Sequence, residues 1–201
     1  MSAESPGAEK RTRPTVKRLD DPRTMRALAH PLRLKLLGLL RVEGPQTATS
    51  LASMVEESVP LVSYHLRQLA EHGFIEPDPE LARDNRERWW RSSHDRTQWS
   101  EVDFLDKPEK IELAHTLTSQ VNRFHFEAID NYAREQASWT REWIDASDNS
   151  DWWRRLNAAQ LKQMRDELHA VIEKWEHVEP GPGAEKTRLI LHMFPFRGLN
   201  Q

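Results

Sequence analysis

Between residues 25 and 72 the apolar side chains recur at the three-and-four spacing of helices that bury one face. Met25, Leu28 and Ala29 precede His30-Pro31, and Leu32, Leu34, Leu36, Leu37, Leu39 and Leu40 follow. Pro31 suits the first turn of a new helix, and Gly44-Pro45 ends it. Thr47 to Val55 predicts a short helix with Leu51, Ala52 and Val55 inward, and Glu56-Glu57 a turn. A further helix spans 58–72. Ser58 stands as N-cap, Pro60 falls in the first turn, and Gly73 sits where left-handed geometry ends a helix. Leu61, Val62, Leu66, Leu69 and Ala70 make its apolar face; Ser63, Tyr64, Arg67 and Gln68 make the opposite one. Short polar groups, a guanidinium and an amide suit base edges and phosphates in a major groove. The same face also suits plain solvation.

Two short helices joined by a tight turn make a helix-turn-helix, whose second helix enters the groove. Phe74-Ile75-Glu76 then reads as a strand, Pro77 to Asn85 as a polar loop, and Arg86 to Arg91 as a returning strand. Two strands with an Arg-bearing tip make a wing. Trp99 to Phe104 alternates apolar and polar, which predicts another strand. Lys107-Pro108 starts a long helix to about Ser138, with the stripe Ile111, Ala114, Leu117, Val121, Phe124, Ala128, Ile129 and Tyr132. Trp139, Trp143 and Ile144 extend it or form a short helix. Asp145 to Ser150 is a polar break, and Asp151 is the expected N-cap of a helix to about Val178. Leu161, Met164, Leu168, Val171, Trp175 and Val178 give that helix a heptad seam, for the 108–138 helix of the same chain or for a second subunit. Glu179 to Gly183 ends it. Lys186 to Phe194 reads as a strand pairing with 99–104 or with another subunit. The fold class is mainly α with a small β wing: a winged helix-turn-helix domain, then long C-terminal helices and a terminal strand.

From His30 to Leu37, Thr47 to Val55, Val62 to Leu69 and His72 to Ile75, with Trp89-Trp90 on the returning strand, the chain resembles the ArsR-type winged helix-turn-helix regulators. The resemblance covers roughly residues 20–95. It implies a bacterial homodimer, usually a repressor, bound to double-stranded DNA. On that basis Ser58, Val59 and Pro60 bring the helix N-terminus to DNA, and Ser63, Tyr64 and Gln68 face base edges. Arg67 and the wing arginines Arg83, Arg86 and Arg88 face phosphate. His65 faces DNA or packs beneath the helix, and Arg33 contacts phosphate or holds the domain together. The expected organisation is a tail at 1–19, a DNA-binding domain at 20–98, and a helical dimerisation and effector domain at 99–201.

Composition narrows this picture. A chain of 201 residues holds one large domain or two small ones. No apolar run is long enough to span a membrane, and none at the N-terminus resembles a signal peptide, so a cytoplasmic protein without a membrane partner is expected. The net charge is -3, with 16 basic against 14 acidic residues in 1–100 and 13 against 18 in 101–201. Phosphate contacts must therefore come from local clusters: Lys10, Arg11, Arg13, Lys17 and Arg18 in a tail expected to be disordered, and the wing arginines.

The absence of cysteine excludes the thiolate metal sensing of some family members. His115 and His125, with Glu112 and Glu127 nearby, are about 80° short of sharing a helical face, which leaves a histidine and carboxylate site only across a dimer. No cofactor is expected. No phosphate loop, zinc-protease motif or nucleophile elbow is present, so an enzyme is not expected. Phe124, Tyr132, Trp139, Trp143, Trp152, Trp153 and Trp175 form either a packed core and interface or the lining of a pocket for a small organic effector. The remaining alternative is a protein-interaction module on the same scaffold.

Overall fold

The computed structural model describes residues 15–82, 88–99, 101–104, 107–175 and 178–198. Tail residues 1–14, with Lys10, Arg11 and Arg13, lie outside them, as do Arg83 and Arg86. The chain divides into two compact units, Met1–Asn131 and Tyr132–Gln201.

The first unit opens with β1 (Val16–Arg18), then α1 (Pro22–Leu28) and α2 (Pro31–Val42). β2 (Gln46–Thr47), α3 (Ala48–Val55) and α4 (Val59–Glu71) follow. β3 (Ile75–Pro77), β4 (Trp89–Ser92) and β5 (Arg96–Gln98) complete the strands, and α5 (Pro108–Glu135) leaves this unit. Caps mark the helix starts. Asp21 accepts from the Thr24 amide at 3.2 Å, His30 Nδ1 from the Leu32 amide at 3.2 Å, and Thr47 Oγ1 from the Ser50 amide at 3.1 Å. Each satisfies an amide that the helix leaves without a partner. The wing is an antiparallel sheet in the order β2-β4-β3, with Gln46 opposite Trp90 and Ile75 opposite Ser92.

One core holds the unit together. Met25, Leu36, Leu51, Val62, Leu66 and Leu69 are fully buried where α1 to α4 meet, and Phe74, Trp90 and Phe104 close it. Burying each large side chain stabilises the fold by about 1.5–3 kcal/mol. α5 joins through Ala114 and Leu117, both buried. Beside it, a Cβ added at Gly38 of α2 would lie 3.1 Å from the Phe124 ring, so glycine permits that approach.

Three expectations change here. Residues 15–19 were assigned to a disordered tail, yet β1 pairs in parallel with β5, Val16 opposite Arg96. Thr15 fixes the start of that pairing by donating its amide (2.6 Å) and its hydroxyl (2.9 Å) to Asp95 Oδ2. The strand expected at 99–104 is instead a 3-10 turn, Glu101–Phe104. It drives Phe104 into the core, while Val102 stays 73% exposed. Trp99 is tied to α5 by its indole N–H, which donates to Thr118 Oγ1 at 3.3 Å. The returning wing strand begins at Trp89, with its expected start at 86–87 outside the described residues.

The second unit holds α6 (Arg141–Ala146) and α7 (Ala158–Trp175). Trp143 and Ile144 lie on the short helix. α7 starts at Ala158, not at Asp151. Asn157 and Gln160 cap it reciprocally: the Gln160 amide donates to Asn157 Oδ1 and the Asn157 amide to Gln160 Oε1, both at 2.9 Å. The strand expected at 186–194 does not form. Leu189 is 72% and Phe194 66% exposed, so the apolar side chains of this run are not packed into a sheet.

Candidate nucleic-acid interface

α3 and α4 form the two arms of the helix-turn-helix. Glu56 makes the turn possible by adopting a left-handed backbone, φ 57°, with the Glu57 amide bonded back to Ala52 at 3.0 Å. Only a short polar side chain or glycine visits that region readily, so the turn holds some strain. α4 then starts with Ser58, Val59 and Pro60 all exposed. Ser58 occupies the N-cap position, is exposed and makes no side-chain capping bond.

Val62, His65, Leu66 and Leu69 make the inner face of α4. Leu61, expected inward, is 37% exposed; His65, open between two placements, is 4% exposed and lies beneath the helix. The outer face carries Tyr64 (50% exposed), Arg67, Ser63 and Gln68. Arg67 Nε donates to the Ser63 carbonyl at 3.2 Å, and the Gln68 amide donates to Glu71 Oε2 at 2.8 Å. These bonds hold both side chains along the outer ridge of the helix.

Below that face is a cationic and imidazole node. Arg33 donates through Nε to the Ala27 carbonyl, through Nη2 to the Arg26 carbonyl at 3.0 Å, and Nη1 stands 3.5 Å from His65 Nδ1. It therefore joins the end of α1 to α4. The His30 and His65 rings meet at 4.4 Å between centroids. Burial lowers the His65 pKa, and neighbouring His30 and Arg33 lower it further; burial and then Arg33 lower that of His30. From sequence alone His30 had no assigned role, because histidine is not among the usual N-cap residues; here its Nδ1 caps α2.

On the wing, the Arg88 guanidinium lies over the Trp90 ring, 5.2 Å from its centroid. Arg91 pairs with Glu76 at 2.9 Å and approaches Asp78 at 3.7 Å, so it crosslinks β3 and β4. Arg41 was not foreseen. It is part-buried, donates to the His94 carbonyl at 3.1 Å and to Thr97 Oγ1 at 2.8 Å, and burial pushes its pKa down to about 10 despite Asp95 nearby. It ties α2 to the segment around β5.

The C-terminal aromatics fall in two groups by exposure. Trp152, Trp153 and Trp175 are 61–70% exposed, too open to wall an enclosed cavity within one chain. Trp139 meets Trp143 at 6.1 Å and Trp153 meets Phe196 at 4.7 Å between ring centroids. Tyr132 is half-buried, and Phe124 stands over Gly38 in the first unit. An open groove of about 550 Å³ runs along α5 past Ile111, Glu112 and His115. Among the described residues, no three metal-ligating side chains converge, and no helix is long and apolar enough to cross a membrane.

Residues 28–78 match a family model described as a helix-turn-helix domain. With the wing sheet closing against α4, the first unit carries a winged helix-turn-helix domain. The chain is similar to ArsR-type regulators of that class. A crystal structure of a possible transcriptional regulator for arsenical resistance is 26% identical, covering 59% of this chain and 97% of that one at a TM-score of 0.31. The homodimeric winged helix-turn-helix DNA-binding domain of a possible ArsR-family regulator from Mycobacterium bovis is 20% identical, covering 49% and 77% at 0.31. The apo MarR protein of E. coli is 16% identical, covering 75% and 88% at 0.29. No curated protein matches the chain.

Proposed function

We propose that the protein is a sequence-specific, DNA-binding transcriptional regulator, a homodimeric and non-catalytic repressor that reads an inverted repeat with α4. The observation that carries this reading is the division of α4. Its inner face is locked into the core, while Ser63, Tyr64, Arg67 and Gln68 stand together on the outside, with the open first turn at 58–60 leading the way. A rigid helix presenting an amide, hydroxyls and a guanidinium matches the donors and acceptors of base edges and phosphates. Ser63, Tyr64 and Gln68 take the bases. Arg67 and Arg88, joined by Arg83 and Arg86, take phosphate. The DNA partner implies a cytoplasmic location.

His65 and Arg33 take no part in direct contact in this reading. Both are engaged beneath α4 and set its angle on the domain. A module that binds another protein through this face is the alternative, and one experiment separates the two. Purified protein selects bound duplexes from a random pool at near-physiological salt. Recovery of an inverted repeat with half-sites about one helical turn apart is expected. Weak, motif-free, salt-sensitive retention would overturn sequence-specific reading.

A further inference from the structure

α7 is an amphipathic helix that its own unit leaves uncovered. None of its residues is buried, and its seam is open, with Val171 55% and Trp175 66% exposed. An 18-residue helix is marginal alone in water, even with a reciprocal cap such as that of Asn157 and Gln160. A heptad seam supplies a specific way to be covered.

We infer that α7 pairs antiparallel with α7 of a second copy of the chain. The choice of occupant and direction comes from size and charge along the helix. Setting Leu168 opposite the partner's Val171 also sets Met164 opposite the partner's Trp175. Each layer then joins a larger side chain to a smaller or more pliable one, and the thioether meets the indole. In the same register Glu167 flanks the seam beside the partner's Lys174, twice by symmetry, and Arg165 falls beside the partner's Ile172. A parallel pair does worse on both counts. It stacks Trp175 on its own copy and places Glu167 against the partner's Ile172, leaving no ion pair across the seam. Two-fold symmetry makes the contact self-complementary, as a closed dimer requires.

The full chain contains no cysteine, so introduced thiols report on this geometry alone. Leu168→Cys and Val171→Cys are made separately and oxidised, each alone and after being mixed in urea and refolded together. The antiparallel pair gives a covalent dimer in the mixture about fivefold faster than in either variant alone, because only the mixed thiols come within disulfide reach. Equal crosslinking within each single variant would establish a parallel pair and overturn the register. Monomer in every sample would overturn the pairing itself. Glu167→Lys slows the mixed reaction, and Lys174→Glu added to it restores the rate; failure to restore would also overturn the register. No DNA is present, so failure here leaves the DNA-binding reading untouched, and failure to select an operator leaves this one untouched.

Discussion

At the scale of single residues, the outer face of α4 and the node beneath it make different demands. Gln68 carries a donor and an acceptor on one amide, so Gln68→Ala should relax preference at one base pair by roughly 1–3 kcal/mol if the contact is bidentate. Arg88→Ala should weaken all duplexes alike and flatten the salt dependence by about one unit. Binding to matched and mismatched duplexes across a salt series distinguishes them, and equal effects on specificity would refute the division. The histidine node predicts a pH effect. His30 and His65 are held below the ordinary value of 6.5, so the folded state favours neutral rings while the unfolded chain takes up protons first. Their contribution is fully present above about pH 6.5, falls as the pH drops below it, and levels off once the folded rings also protonate. Protonation also takes the lone pair with which His30 Nδ1 accepts the Leu32 amide. Urea midpoints at pH 7.5 and 5.5 should therefore differ less in His65→Gln than in the native protein; an unchanged gap would sink the assignment. Part of this was readable in advance. The spacing of Val62, His65, Leu66 and Leu69 is itself that of one helical face, which is one of the two placements left open for the histidine.

At the scale of elements, the closeness of α2 and α5 turns on one hydrogen atom. Gly38→Ala normally strengthens a helix by up to about 1 kcal/mol. Here the new methyl would meet the Phe124 ring at 3.1 Å, so the substitution should lower the thermal midpoint. In a Phe124→Ala background the same change should raise it, and a cycle of the four proteins reads the coupling directly. If Gly38→Ala acts equally in both backgrounds, the contact does not govern the packing. The four helices α2 to α5 were legible because their apolar spacing is local. α7 was legible as a helix but not at its start, since Asp151 and Asn157 are both good caps and only Asn157 has a glutamine three residues on. The run at 186–194 misled because apolar content alone does not make a strand: Leu189 and Phe194 stay exposed.

At the scale of the whole molecule, every buried apolar side chain of the core cluster lies between Leu19 and Leu117. A chain ending at residue 131 should therefore unfold at nearly the urea midpoint of the full protein, within about 0.5 kcal/mol, the usual effect of changes outside a core. A loss of several kcal/mol would mean that the second unit supports the first. The winged helix-turn-helix could be read from sequence because its helices, turn and hairpin join near neighbours. The pairing of β1 with β5 could not: its strands have three residues each, too few for a pattern, and lie far apart in the chain.

That pairing also sets an order of assembly. Thr15 and Asp95 are 80 residues apart, and joining the ends of so long a loop costs about 4 kcal/mol of chain entropy. β1 is the first strand of the domain to be synthesised and must wait for β5, the last. At roughly 5–20 residues per second the delay on the ribosome is several seconds. The helices between them have ample time to collapse first. The domain is thus completed by its own beginning, docked as a final strap over a core already formed.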